Sequence, residues 1–375
     1  MKIAAVICEY DPFHRGHEEQ LRLVRASLGD DTVLLSLMSG STVERGRLAV
    51  YPKHLRAEAA LCGGSDLVLE LPAAFSSASA EAFAFGGVSL LQALSGIDYL
   101  VFGSESGDLS YLSDCASLLI SSEFVEKMKQ APKDISYPRY AEIVAREYGV
   151  LLPSSSNDIL AVQYLAALKR TASPIRPFTY RRKPGYSATE ARKRIYQGAP
   201  LDGQLSTSAI ACFSGLLPTA VLPYETVALH RLRETPTEEL ERYSYMNGGV
   251  AGLLKKAAQS ESSLDRLLSV AGSRYTASRL RRAILSALLE LTDDDRTAPP
   301  AYTSLLAANR RGCELLNSVK KTTSLSLLTK PSDYTALPPA AKKQFEQTLR
   351  ADRLMSLCRG ESPADIFKRS PLILD

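Results

Sequence analysis

Short apolar runs alternate with amphipathic stretches through the first two hundred residues. Lys2–Cys8, Thr32–Met38, Asp66–Leu69 and Tyr99–Phe102 read as buried strands, and Phe178–Arg182, after Pro174 and Pro177, as a fifth. Between them, Gly16–Leu28, Lys53–Cys62 and Ala80–Leu94 read as helices. Strand and helix in turn predict a parallel sheet covered on both faces, with right-handed crossovers. The expected fold is α/β and Rossmann-like, with five parallel strands. Leu109–Met128 and Tyr140–Glu147 predict two further helices, the second an insertion in the last crossover.

Beyond about residue 200 the pattern changes. Thr207–Leu216, Thr237–Met246, Ser262–Val270, Ala277–Leu291, Arg311–Leu316 and Pro339–Leu357 read mainly as helices, several separated by Pro or Gly. Pro299–Pro300 marks a turn. The expected division is an α/β unit over 1–200 and a mainly α-helical unit over 201–375.

Composition narrows the class. Hydrophobic residues make up 45% and charged residues 23% of 375 positions, which excludes disordered, collagen-like and low-complexity chains. No apolar run approaches the roughly 20 residues of a membrane helix. The first residues lack the apolar core and cleavage site of a signal peptide, so a cytoplasmic location is expected. Six cysteines (Cys8, Cys62, Cys115, Cys212, Cys313, Cys358) are scattered without paired spacing, and there are four His. Reduced thiols are expected, rather than a disulfide framework or a zinc site.

Charge is divided unevenly. Residues 1–150 hold 13 Lys+Arg against 20 Asp+Glu, and residues 151–375 hold 32 against 21. The second part therefore carries a net +11, which suits a polyanionic partner and equally describes a solvated basic helical surface.

The candidate chemistry follows the first strand. Glu9-Tyr10-Asp11-Pro12-Phe13-His14-Arg15-Gly16-His17 links that strand to the first helix. Ligands of open α/β sheets sit at the carboxyl ends of strands, and a helix N-terminus suits phosphate. Gly16 permits close backbone approach. His14 and His17, three apart, can share a face and stabilise charge on an attacked α-phosphate. The alternative is that both cap or pack a helix start. HxGH is short, and its place between an apolar strand, a Pro turn and a helix is what favours a nucleotide-phosphate site.

These residues resemble the HxGH motif of the nucleotidyltransferase superfamily. The longer stretch is similar to the EYNPFHxGH start of the bacterial tRNA(Met) cytidine acetate ligase family. Gly64-Ser65-Asp66-Leu67-Val68-Leu69-Glu70-Leu71-Pro72 resembles its GADLVIELP, and Phe102-Gly103-Ser104-Glu105 its FGSE. Ser156-Asn157-Asp158-Ile159-Leu160 resembles PNDIL, and Ser273-Arg274-Tyr275-Thr276-Ala277-Ser278-Arg279-Leu280-Arg281-Arg282 resembles KRYTxSRIRR. The matches keep the family's order and span nearly the whole chain.

The resemblance implies an enzyme that activates acetate with ATP and acetylates N4 of the wobble cytidine of elongator tRNA(Met). It implies an ATP site from Ile7, Cys8, Glu9, Tyr10, Asp11, Pro12, Phe13, His14, Arg15, Gly16, His17, Glu18, Glu19 and Gln20, with Gly103, Asn157 and Arg182. His14 and His17 are the expected catalytic pair. At Gly103 a side chain would block a nucleotide. Asn157 can read a base or ribose, or cap the helix Ile159–Leu168. Arg182 can neutralise triphosphate charge. Mg²⁺ is the expected companion of ATP; no feature identifies its ligands, and Asp11 is the candidate for a water-mediated contact. Arg274, Tyr275, Arg279, Arg281 and Arg282 are the expected RNA contacts, with Tyr275 able to stack on a base. Leu280, Ile284, Leu285 and Leu288 form the apolar face of the same helix. The sequence does not give the oligomeric state.

Some segments depart from the family. Its QRGEPA reads Glu44-Arg45-Gly46-Arg47-Leu48-Ala49 here, with one charge reversed. Its GYHD loop is shortened, so Gly185-Tyr186 runs directly into Ser187-Ala188-Thr189-Glu190-Ala191-Arg192. An RVLG-like segment is replaced by Ser304-Leu305-Leu306-Ala307. Two other functions share the HxGH end: a small-molecule nucleotidyltransferase, which needs no large basic second part, and an RNA-binding paralogue without transfer activity. An oxidoreductase and a triad hydrolase lack their motifs, GxGxxG after strand one and GxSxG.

Overall fold

The computed structural model describes all residues but 1, 133–134, 184, 202, 273–274 and 375. Its strands are β1 (Ile3–Cys8), β2 (Val33–Ser39), β3 (Thr42–Val43), β4 (Arg47–Leu48), β5 (Leu67–Leu71), β6 (Tyr99–Ser104), β7 (Arg176–Arg181), β8 (Tyr302–Ala308), β9 (Ser326–Leu328) and β10 (Leu372–Ile373). The five expected strands form the parallel centre, in the order β5-β2-β1-β6-β7. Strand order reverses between β1 and β6, so a crevice opens at their carboxyl ends.

These strands are buried on both faces. Ala5, Ile7, Leu35, Leu37 and Leu69 pack with the helices Ala80–Leu94 and Ser156–Arg170 on one side. Ala4, Val6, Leu34 and Val68 pack with the helices Arg15–Leu28 and Lys53–Cys62 on the other. Continuous apolar runs are what two covered faces require.

The sheet is larger than expected, and it is mixed. β8 lies antiparallel on the outer edge of β5, and β9 and β10 pair parallel with β8, giving eight strands. The chain thus leaves the sheet near residue 181, builds helices, and returns at residue 302. The departing segment at Ser304–Ala307 is this returning strand. The helical region between them has its own core, which includes Leu229, Leu232, Leu254 and Leu280.

Several helices differ from the sequence reading. The stretch 109–128 is two helices, Leu109–Ile120 and Ser122–Lys129, because Ser121 is extended and caps the second through Phe124 N at 3.3 Å. The helix expected over 237–246 ends at Leu240. Val221–Glu234 and Val250–Ser260 were not expected. Pro223 sits in the first turn of the former, where its missing N–H costs nothing.

Candidate nucleotide-binding site

β1 ends at Cys8, and the next six residues turn the chain into the helix Arg15–Leu28. Tyr10 takes a left-handed conformation, φ 46°. Its ring is buried and its hydroxyl meets Ser36 Oγ at 3.2 Å, which anchors the turn beneath β2. Phe13 packs edge-on against Tyr10. From above, Arg56 clasps the same region: it is fully buried and donates to the carbonyls of Glu9, Ser39 and Gly40.

His14 is the N-cap. Its Nδ1 accepts from Gly16 N at 3.1 Å, while His17 Nδ1 accepts from His14 N at 3.3 Å. The rings stack with centroids 3.6 Å apart. Burial, then the Arg182 charge, pulls the His14 pKa down to about 4; burial and the His14 ring hold His17 well below the usual range. Both are therefore neutral near pH 7. With Nδ1 accepting in each, the ring proton belongs on Nε2. Two neutral imidazoles with fixed Nε2–H donors stand at a helix N-terminus, an arrangement suited to phosphate oxygens. At Gly16 a Cβ would sit 3.0 Å from His14 Cε1 and 3.3 Å from Tyr186 Cβ, so a side chain there would crowd both the cap and the loop.

Three distant residues converge here through one carboxylate. Glu105 accepts from Asn157 Nδ2 at 2.6 Å and lies 4.0 Å from Arg182. Glu105 and Asp158 also clamp each other's backbone amides, Glu105 N to Asp158 Oδ1 at 2.8 Å and Asp158 N to Glu105 Oε2 at 3.0 Å. The helix cap is Ser155, so Asn157 sits in the first turn rather than capping. Gly103 is inside β6, and a Cβ there would meet Arg182 Cγ and Tyr180 Oη, each at 2.7 Å. Its bare face makes room for Arg182 itself. Gly16, Glu19, Gln20 and Arg182 border one small cleft, where Lys183 pairs with Glu19 at 2.6 Å.

Asp11, the expected candidate for a water-mediated Mg²⁺ contact, is engaged by protein groups. It is 2% exposed; one oxygen accepts from Val50 N at 2.7 Å and the other pairs with Arg47 at 2.6 Å. Burial alone would raise its pKa, but Arg47, Arg56 and Arg192 together hold it below the usual carboxylate range. It is a structural ion-pair partner. Among the described residues no three His, Cys, Asp or Glu side chains come together as a metal set.

Arg192 was not among the expected site residues. It donates to the Asp11 carbonyl at 2.8 Å, and its charge reaches His14. It lies in the second turn of the helix Ala188–Gln197, and no signal in the sequence marked this role.

The expected RNA contacts divide. Arg274 lies outside the described residues. Tyr275 bonds to the Gly248 carbonyl and stacks with Arg279, which reaches Asn247 Oδ1 at 2.8 Å. Arg281 is half-buried on the following turn. Arg282 turns inward: only 12% exposed, it pairs with Glu44 at 2.9 Å. Gly46 packs directly on this helix, its missing Cβ only 2.4 Å from Arg282 N.

Residues 1–368 match the family described as HIGH Nucleotidyl Transferase. This chain belongs to that family. Its similarity to a tRNA(Met) cytidine acetate ligase of Acetivibrio thermocellus is 31% identity, covering 96% of this chain and 95% of that one. A ligase of the same name from Syntrophotalea carbinolica is 33% identical, with 88% and 85% covered. The crystal structure of Thermotoga maritima TmcAL bound with alpha-thio ATP superposes with a TM-score of 0.92 at 28% identity, covering all of both chains. The apo form of that protein gives 0.91 at 26% identity.

Proposed function

We propose that this protein is an ATP-dependent ligase that activates acetate as acetyl-adenylate and acetylates N4 of the wobble cytidine of elongator tRNA(Met). The observation that carries this reading is the stacked pair His14 and His17, neutral and aimed by their Nδ1 acceptors. Full-length similarity to ligases of that name, and to a structure holding an ATP analogue, supports it.

Acetate is ionised near neutral pH and needs no general base. One acetate oxygen attacks the α-phosphorus while the bond to the β-phosphate breaks and pyrophosphate leaves. His14 and His17 donate from Nε2 as charge grows on the phosphate oxygens, and Arg182 offsets the charge of the leaving group. The cytidine amine then attacks the acetyl carbon, AMP departs with both electrons of the broken bond, and the amine releases one proton to water. Arg279 and Arg281, with Tyr275, form the face proposed to meet RNA; Arg274 belongs to the same sequence run. Both imidazoles are uncharged in the ground state and donate through Nε2, so their hydrogen bonds strengthen as charge grows on the phosphate oxygens.

The test is acetate-dependent exchange of pyrophosphate into ATP, followed by mass spectrometry of the tRNA for N4-acetylcytidine. Exchange that requires acetate, and acetylation confined to elongator tRNA(Met), supports the reading. ATP binding with no exchange for any small carboxylate, with or without tRNA, overturns it.

A further inference from the structure

A second crevice opens at the carboxyl ends of β2 and β5, next to the HxGH crevice and sharing no residue with the HxGH turn. It is a cavity of about 80 Å³, room for roughly half a dozen water-sized groups. Leu306, Leu328, Phe345 and Met355 supply apolar walls. Its polar floor is Lys53, Glu70 and Asp352, drawn from a helix start, a strand end and the long helix Pro339–Arg359.

The hydrogen bonding of that floor is one-sided. Lys53 Nζ donates to Glu70 Oε1 at 2.7 Å, Glu70 Oε2 at 2.8 Å and Asp352 Oδ2 at 2.7 Å. All three ammonium protons are used, so Lys53 has nothing left for an anion. Asp352 Oδ1 also accepts from Ser41 Oγ at 2.7 Å, and the Arg56 guanidinium adds its charge to Glu70 from behind; the carboxylates lining the cavity, Glu70, Asp352, Glu361 and Asp365, still outnumber Lys53 and Arg369, the cations that line it. Burial, with the neighbouring Asp352, pushes the Glu70 pKa up despite Lys53 and Arg56. At the rim, Arg369 is committed to Glu361 at 3.1 Å and lies against the His54 ring. Independently, Ser304 of β8 lines the cavity, is 8% exposed, and its Oγ finds no partner among the described residues. A buried hydroxyl without a partner costs stability unless something meets it.

We propose that this cavity binds a small primary ammonium ion with a short apolar body, held by Glu70, Asp352 and the Ser304 hydroxyl. An anion of the same size finds only the Ser304 hydroxyl as a free donor and faces the carboxylates of the floor. A neutral alcohol gains the walls without the charge.

The probe is n-propylammonium, with propionate and 1-propanol as controls, titrated into the full-length protein by saturation-transfer NMR and calorimetry. The expected result is saturable binding of n-propylammonium at least tenfold tighter than either control. Ser304→Leu fills the space without cutting any hydrogen bond of the Lys53 group, and should abolish that binding. ATP affinity and the thermal melt of the variant, both unchanged, would show that the fold is intact. Asp352→Asn should weaken binding at least tenfold. No saturable n-propylammonium signal means that the cavity holds solvent only and overturns the proposal. Equal binding of propionate, or binding that survives Ser304→Leu, overturns it too.

Discussion

Arg47 and Asp11 meet at 2.6 Å in the wall of the nucleotide site. At these two positions the family motifs read Glu and Asn, so each residue alone looks like a lapse. In space they answer each other. The reversed charge at 47 faces the acquired charge at 11, and Glu44, which replaces a Gln, pairs with Arg282. The altered segment is an internally consistent electrostatic rearrangement.

Arg47→Glu should therefore cost about 3 kcal/mol in urea unfolding, because it leaves Asp11 buried beside a like charge. Adding Asp11→Asn to it should recover most of that loss. Recovery marks direct coupling across the pair; two additive losses would mean that the residues act separately.

His14→Ala and His17→Ala should each lower pyrophosphate exchange by about 100-fold or more, with a smaller change in ATP affinity. The neutral rings make few demands on the ground state and act as charge develops. A loss confined to ATP affinity would contradict this role.

Arg281 and Arg282 should separate by assay. Arg282→Ala strands Glu44, which is largely buried, and should destabilise the protein by about 2 kcal/mol. Arg281→Ala should leave the melt unchanged and weaken tRNA binding, with a shallower salt dependence by about one ion. Equal effects of the two on RNA affinity alone would count against the inward role of Arg282.

His14 gives a pH signature of stability. Its folded pKa is about 4, below the ordinary 6.5. Below pH 6.5 the unfolded chain takes up a proton that the folded chain refuses, so stability falls between pH 6.5 and 4. The contribution at pH 5 is about 2 kcal/mol. Urea midpoints of the wild type and His14→Gln, measured at pH 7 and pH 5, should converge as pH falls.

The parallel centre was legible because its strands are continuous apolar runs bounded by turns. The turn from β1 into the first helix was legible because Glu9 to His17 are contiguous. β8 was not: Ser304-Leu305-Leu306-Ala307 suits a helix or a strand equally, and only the open edge of β5 decides between them. Arg47 and Arg282 were not legible in their roles either, since each is defined by a carboxylate far away in sequence. At Gly103 the contact of its bare face with Arg182 was not legible, since the two lie on neighbouring strand ends far apart in sequence.

The return of β8 also bears on how the chain is made. Synthesis from the N-terminus delivers all five central strands before β8 exists, leaving the backbone of β5 exposed along one side until residue 308 emerges. A fragment cut near residue 200 would keep that raw edge permanently, a template for pairing with its own copies. The helical excursion must therefore be completed before the nucleotide-binding half can safely stand alone in the cell.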